Sequence, residues 1–287
     1  MESRELGLVL ARHLLRVEDL HYGLWGDSDL SPSLAHLAQA QRRYNELLLG
    51  RLPAAPARVL DVGCGTGHLL AQMRQRGLAA DGVIPSPTLA QAVRQRCEAL
   101  QPGAAAGPGR VHECRFEDLP PPPDAQRYDT VLFSESFQYL DLRQTLPKLP
   151  AFVRDGGTVL ICDFFKTAAE GDGQPGDGSF RGGHPLADFM ERMARTPFRL
   201  VADEDLTPRI APNMDIVEDL LMNRLRPSAD AIGQYLLGRH PRLTRLALWL
   251  ARRRLDKLKF KYFSGHRNRQ VFERYKTYRL MIWQLHA

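Results

Sequence analysis

The sequence predicts an α/β protein with a parallel sheet, and three observations predict it. Between residues 57 and 165, short apolar runs alternate with segments of helical period, the pattern of parallel strands joined by right-handed crossovers. The first strand-to-helix junction is a glycine-rich turn, VLDVGCGTGHLL. The composition, 44% hydrophobic and 25% charged over 287 residues, is that of a globular chain long enough to bury a full core. It excludes collagen-like, disordered and disulfide-stapled classes.

The elements follow in order. Residues 1–50 read as helical, with Leu6, Leu10, Leu14 and Val17 at helical spacing and a second apolar series through 34–49. The turn-forming stretch HYGLWGDSDLSPS lies between them. ARVLDVG (57–63) is a buried strand, and LLAQMRQRG is a helix closing at Gly77. AADGVIPS is the second strand; the helix after it starts at Ser86 with Pro87 behind it. RVHECRFEDL (110–119) is the third strand, and PPPPD (120–124) is a surface loop because Pro has no N–H for a sheet. YDTVLFSES is the fourth strand, LRQTLPKLPAFV a helix broken by Pro147, and GGTVLICDFF the fifth strand. Beyond a Gly-rich loop (167–185), LADFMERMART is a helix and FRLVADEDLTP a sixth strand. Residues 209–262 read as entirely helical, and YKTYRLMIWQLHA supplies a closing strand.

The net charge of +6 conceals an uneven distribution. Residues 239–287 hold fourteen Lys and Arg against Asp256 and Glu273, a net +12, which leaves −6 on residues 1–238. In RLTRLALWLARRRLDKLKFKYF, Leu243, Leu246, Trp249 and Leu250 share one helical face among basic residues. Such a helix either packs its apolar face on the domain or meets an anionic partner: a membrane surface, an acylated or phosphorylated substrate, or nucleic acid, ranked lower. Cys64, Cys97, Cys114 and Cys162 are widely spaced with no CxxC pair, as expected of reduced cytoplasmic thiols with no metal. The N-terminus has early acids and no clean apolar core, so no signal peptide is expected. The longest apolar run, LTRLALWLA, is short and interrupted by Arg245.

The glycine turn carries the chemistry. Its glycines let a ligand approach the backbone, and the helix behind it offers unpaired N–H groups to an anion. The third glycine comes one residue too early for the dinucleotide pattern GxGxxG, and no GK[ST] follows. The stretch resembles motif I of class I S-adenosylmethionine-dependent methyltransferases. The resemblance continues in order through EDLP, YDTVLFSESFQYL and the Asp155–Gly157 turn. Upstream, LHYGLWGD is similar to the lid of the small-molecule branch (tocopherol, quinone and phosphoethanolamine methyltransferases).

That resemblance implies a Rossmann-like seven-strand core with a helical N-terminal lid (1–50), a cofactor-binding core (51–208), a basic helical cap insertion (209–262) and a C-terminal segment completing the core (263–287). It implies S-adenosylmethionine as cofactor, yielding S-adenosylhomocysteine. Asp61, Gly63, Gly65 and Gly67 would hold its methionine portion, and Arg115, Phe116 and Glu117 would lie near the adenine. Ser134 and Glu135 would face the meeting point of cofactor and acceptor, with Tyr22 closing over the sulfonium and Trp25 beside it. One departure stands out. The family's ribose-binding acid after the second strand is replaced by Ile84; Asp81 falls on the opposite strand face, which leaves Ser86 as a weaker hydroxyl partner.

Several of these residues have a plainer reading. Tyr22 and Trp25 also suit packing between helices, and Glu117 with Asp118 a simple turn. His184, after the mobile-looking loop, is either a general base or a surface histidine, and His21 is open in the same way. Gln138 and Tyr139 are either acceptor-side or core; Asp163 either contacts substrate or caps a loop. Catalytic candidates are therefore His184, Glu135 and Tyr22. The function expected is methyl transfer to a small lipophilic or anionic acceptor, at O, C or N. An RNA methyltransferase and a non-methylating, binding-only relative are the alternatives. The Asn-Pro-Pro-Tyr signature of amide or base nitrogen methylation is missing from SESFQY. A cytoplasmic chain, peripheral at an anionic membrane through residues 239–280, is the expected setting.

Overall fold

The computed structural model describes Asp19 and residues 21–26, 30–99 and 109–286. The first expected helix, through Leu6 and Val17, lies outside the described residues. Helix α1 (Leu37–Leu49) leads into β1 (Arg58–Val62), α2 (His68–Gln75), β2 (Ala79–Val83), α3 (Pro87–Glu98), β3 (Val111–His112), β4 (Tyr128–Ser134), α4 (Leu142–Lys148) and β5 (Val153–Lys166). Then come α5 (Leu186–Met193), β6 (Phe198–Asp205), the short α6 (Thr207–Ile210) and α7 (Asn213–Glu218), and a π-helical turn at Asp219–Leu225. Helices α8 (Arg226–Arg239), α9 (Pro241–Phe263) and α10 (Arg269–Tyr275) precede β7 (Lys276–Leu285).

The seven strands form one sheet in the order β3-β2-β1-β4-β5-β7-β6. β1 through β5 run parallel, and β7 enters antiparallel between β5 and β6. Helices cover both faces, so the inner strands read as nearly continuous apolar runs. Val59 and Leu60, neighbours on β1, belong to two separate cores. One core gathers Tyr44, Leu70, Leu132 and Tyr278; the other gathers Phe116, Phe133, Phe152 and Trp283. The strand order reverses between β1 and β4, and crevices outside the carboxyl ends at such a reversal are where α/β sheets bind ligands.

Four local expectations are corrected. The third strand pairs with β2 only at Val111 and His112. Phe116 is then drawn into the core against Phe133 and Phe152, and residues 116–118 become a single 3₁₀ turn. α4 runs through Pro147 and tightens to a 3₁₀ turn at Leu149, where Pro150 withdraws the next donor. β5 starts at Val153, not Gly156: Tyr128 faces Val153 but Thr130 faces Thr158, so residues 154–157 bulge out, with Gly156 at φ 71°. Residues 209–262 are helical in pieces, with a sharp break at His240 (φ −137°, ψ 61°).

Among the described residues, the apolar side chains of the first half of α9 are not packed on the domain. Leu243, Trp249 and Leu250 are 69–71% exposed. On α8, Ile232 and Tyr235 are exposed as well. No described helix is long and apolar enough to cross a membrane.

Candidate active site

The glycine turn sits at the carboxyl end of β1, beside the reversal of strand order. Gly63, Gly65 and Gly67 all have positive φ. A Cβ on Gly63 would lie 2.4 Å from that of Ser136, and one on Gly67 would lie 2.9 Å from a methyl of Val93. The turn is therefore pressed against both the loop after β4 and helix α3. Its backbone is tied down by Gly63 and Cys64 N–H groups donating to the Val83 carbonyl at 2.8 and 3.2 Å, and by the Ser136 hydroxyl donating to the Val62 carbonyl. Asp61, on β1 just before the turn, is 2% exposed. None of the described residues donates a hydrogen bond to its carboxylate, and burial pushes its pKa up to about 7.

The loops after β2 and β3 flank this turn. Ser86 caps α3, its hydroxyl accepting from the Leu89 N–H at 3.4 Å. Ile84 is buried. Asp81 turns away from the turn, accepting from the Tyr128 hydroxyl at 2.8 Å and the Arg110 N–H at 2.6 Å. Arg115 pairs with Glu117 at 3.0 Å. The Glu117 carboxylate is nearly enclosed: Oε1 accepts from the Asp141 N–H, while Oε2 is buried with no partner. Burial raises its pKa, but the Asp141 N–H and Arg115 outweigh that and hold it low. The Phe116 ring is core, 1% exposed; its side chain offers no surface to a ligand.

The segment before α1 crosses this end of the sheet. The Asp19 carboxylate meets His68, the first residue of α2, at 2.8 Å and accepts from Asn45 Nδ2 at 3.0 Å. Burial opposes its ionisation, yet His21 and His68 hold its pKa far below the carboxylate range. His21 stacks on Tyr44, its ring centroid 4.4 Å away, and Asp19 keeps its pKa above the ordinary value despite burial. Three residues past Asp19, the Tyr22 N–H donates to Glu135 Oε1 at 2.9 Å. Tyr22 thus reaches the site. Trp25 does not: it is 1% exposed and packs with Ala40 and Ile216. The pair is therefore split, Tyr22 bordering the cavity and Trp25 packed beside α1.

Tyr22 and Glu135 line an open cavity of about 280 Å³ together with Gln138, Tyr139, Phe164, Phe180, Arg181, Arg267, Phe272 and Lys276. Glu135 has φ 50°, the only positive φ outside glycine among the described residues, a strained conformation of the kind that clusters at active sites. Its Oε1 takes both the Tyr22 N–H and the Tyr278 hydroxyl, the latter at 2.8 Å. Oε2 accepts from none of the described residues. Tyr278 is itself 2.9 Å from the Tyr44 hydroxyl, which lies 3.2 Å from Ser134 Oγ. Burial raises the Glu135 pKa, against the charge of His21 and the two donors.

His184 is not part of the cavity wall. Its Nε2 donates to the Phe137 carbonyl at 3.2 Å, its ring lies edge-on to Phe137, and burial lowers its pKa. Asp163 caps a loop: it accepts from the Gln138 and Phe164 N–H groups at 3.0 and 2.8 Å and is pushed up to about 8 by burial. It thereby holds the turn that sets Gln138 and Tyr139 in the wall. The residues that sequence reasoning missed are Phe164, Phe180, Arg181, Arg267, Phe272, Lys276 and the Tyr44–Tyr278 pair. β7 brings its own members here by alternation, since Lys276, Tyr278 and Leu280 all point inward. Among the described residues, no three His, Cys, Asp or Glu side chains are grouped to hold a metal.

The Methyltransferase domain family matches residues 36–196, and the chain belongs to that family. An uncharacterized methyltransferase of Mycobacterium tuberculosis is 33% identical over 106 residues, which span 37% of this chain and 39% of that protein. The match therefore covers well under half of the curated relative. Geranyl diphosphate C-methyltransferase of Streptomyces coelicolor, solved with Mg²⁺, geranyl diphosphate and S-adenosylhomocysteine, superposes with a TM-score of 0.63 at 19% identity, covering 93% of this chain and 91% of that one. A cyclopropane synthase of Mycobacterium tuberculosis superposes with a TM-score of 0.63 at 16% identity, covering 93% and 90%. At such identities the likeness is one of fold: the class I methyltransferase fold.

Proposed function

We propose that this chain transfers a methyl group from S-adenosylmethionine to a small acceptor seated in the cavity between Tyr22 and Glu135. The observation that carries the reading is the segment from Asp19 to Tyr22, which joins the glycine turn at His68 to the cavity at Glu135. The two sites a transferase needs are thus contiguous. The residues also fit the cofactor's chemistry. Among the described residues no donor reaches the buried carboxylate of Asp61 or Glu117 Oε2, and S-adenosylmethionine brings an ammonium and an adenine amine. Asp61 and the glycine turn take the methionine end, Glu117 the adenine end, and Ser86 the ribose. When bound, the cofactor supplies an electrophilic methyl on a sulfonium.

The chain's own groups do the rest. Tyr22, Phe164 and Phe272 exclude water and align the acceptor, which is most of what in-line displacement requires. Glu135 Oε2 takes the proton of an O–H or acidic C–H acceptor, while Tyr278 and the Tyr22 N–H fix Oε1. An amine acceptor need only arrive neutral. Calorimetry with S-adenosylhomocysteine tests the cofactor site, and absence of binding overturns the reading. Incubating labelled S-adenosylmethionine with fractionated lipid and aqueous extracts tests transfer. Labelling of RNA, with binding lost steeply in salt, supports an RNA methyltransferase; binding without transfer to any fraction supports a binding-only relative.

A second observation favours a location. The exposed Leu243, Leu246, Trp249 and Leu250 lie among exposed Arg242, Arg245, Arg252 and Arg253. This pairing of apolar and cationic side chains complements an anionic bilayer surface. It supports a cytoplasmic chain that is peripheral at the membrane. Flotation with anionic but not neutral vesicles, lost on joint Leu246→Ser and Trp249→Ser substitution, is the expected result. Equal recovery from both vesicle types refutes it.

A further inference from the structure

The crossover from β3 to β4 is the one connection between parallel strands that carries no α-helix. Pro120 to Pro123 lack the N–H groups a helix interior needs, so the chain crosses as two single 3₁₀ turns joined by the proline run. Beside it, at the amino ends of β1 and β4, lies a cavity of about 550 Å³, well within the range of small-molecule sites. It is separate from the cofactor site. Arg58 lines it and begins β1, whereas the glycine turn follows the end of that strand, about 16 Å away at the rise of a β-strand.

The walls of this cavity differ in kind. Leu119, the four prolines and Phe152 make one of them, which is apolar. The other is cationic and short of acceptors. Asp81 is the one carboxylate in the lining, and its oxygens are engaged: Oδ1 accepts from the Arg110 N–H at 2.6 Å and Oδ2 from the Tyr128 hydroxyl at 2.8 Å. The Arg58 guanidinium lies 5.3 Å from the Tyr128 ring centroid and reaches Asp81 through one terminal nitrogen, at 3.5 Å. Its Nε is buried with no partner, and a buried donor without an acceptor is a standing cost. Arg58 is thus placed by the ring beside it and poorly satisfied by the protein. The Arg110 guanidinium and the His112 imidazole also line the cavity, and neither makes an ion pair or hydrogen bond with any described residue. Burial lowers the His112 pKa, and Arg110 adds to that against the charge of Asp81.

We propose that this cavity is a second ligand site, for a small planar anion: a ring bearing a phosphate or a carboxylate. Arg58 and Arg110 hold the charged group, His112 donates to it, and the ring lies against the proline wall. Guanidinium forks match the oxygens of either anion. Proline rings have no side-chain freedom to lose when covered. A cation would meet two guanidinium groups with no spare carboxylate, and a neutral ligand would leave them unanswered. The site stands apart from the methyl-transfer reading and does not depend on it.

The test uses the full chain, with phenyl phosphate and benzoate as probes and benzyl alcohol and benzamide as uncharged counterparts. Affinities are measured by ligand-observed NMR. The anions are expected to bind at least about tenfold more tightly than their counterparts, and less tightly as salt rises. Arg110→Gln should remove about tenfold from the anions and leave the neutral probes unchanged. Arg110→Lys, which keeps the charge but not the fork, should recover part of the loss. Arg110 is exposed, so both variants are expected to melt like the parent. Arg181→Gln, in the acceptor cavity, is the control and should change neither affinity. Anion binding should also raise the pKa of the His112 imidazole, the ring signal that His112→Gln removes, because a negative charge beside it favours the protonated form. Equal binding of charged and neutral probes, anion affinity indifferent to Arg110→Gln, or an unmoved His112 titration each overturns the proposal. A loss on Arg181→Gln in place of Arg110→Gln puts the anion in the other cavity and overturns it too.

Discussion

Replacing Tyr278 by Phe removes one oxygen and interrogates the base directly. That hydroxyl donates to Glu135 Oε1 at 2.8 Å, and a hydrogen bond to a charged acceptor is worth about 1.5–3 kcal/mol. Since 1.36 kcal/mol is one pKa unit, its loss should raise the Glu135 pKa by about 1–2 units, the Tyr22 N–H remaining at 2.9 Å. The sign follows from the charge preferred: the donor favours the ionised carboxylate, so removing it favours the proton. No group is stranded, because the Tyr44 hydroxyl keeps Ser134 Oγ at 3.2 Å and the Cys162 carbonyl at 3.4 Å. The assay is kcat/KM against pH with any acceptor that turns over by losing a proton. The basic form acts, so the rising limb should move to higher pH by about 1–2 units, and the rate should rejoin the parent's above it. In a Glu135→Gln background, itself slower by about 10²–10⁴-fold, the displacement should vanish. A uniformly slower enzyme with an unmoved limb would refute Glu135 as the base and leave Tyr278 a packing residue.

Two further substitutions probe the cofactor side. Asp61→Asn should weaken S-adenosylhomocysteine at least about tenfold by calorimetry, because a charged acceptor for the ammonium is lost. Its stability should also change with pH: the folded pKa is about 7 against about 3.9 unfolded, so the folded state holds the proton more firmly. The parent therefore loses stability as pH rises through that window, and the Asn variant should lose less between pH 5 and pH 8 in thermal melts. Gly67→Ala forces a side chain into φ 75° and against Val93 at 2.9 Å; strain of about 1–2 kcal/mol and overpacking of about 1–3 kcal/mol are expected. Adding Val93→Ala should relieve the second component but not the first, and additive losses in urea melts would show that the contact is not the cause.

What the sequence discloses about this fold is local, and what it withholds is not. The strand–helix alternation and the GCGTG turn are legible because each lies within a dozen residues and obeys one period. Ile84 in place of a ribose acid is legible for the same reason, and the structure places Asp81 where strand alternation puts it, bonded to Tyr128. The acceptor cavity draws on five separated stretches, and two of its walls come from the loop before α5 and the turn after α9. No spacing rule joins Arg181 to Arg267, because the antiparallel entry of β7 between β5 and β6 creates their proximity. His184 shows the limit from the other direction. Its residue type and loop suggest a base, yet Phe137 supplies a carbonyl partner and a ring that turn it into packing.

The basic C-terminal stretch, which looks like one feature in the sequence, divides into two by burial. Arg242, Arg245, Arg252 and Arg253 stand exposed on α9, where each charge is strongly screened and only their number can matter. Arg267 and Lys276 come from the same stretch but face the cavity, where stacking on Phe180 and pairing with Glu170 fix them individually. A surface role should therefore survive any single substitution and decline gradually with salt. A role in the cavity should fail at one residue. Tyr262, at the end of α9 and stacked on Arg267 at 5.0 Å, is where the two meet. Its substitution by Ala should loosen the guanidinium, slowing methyl transfer in the cavity while leaving vesicle flotation intact. Loss of both together would mean that helix and cavity act as one unit.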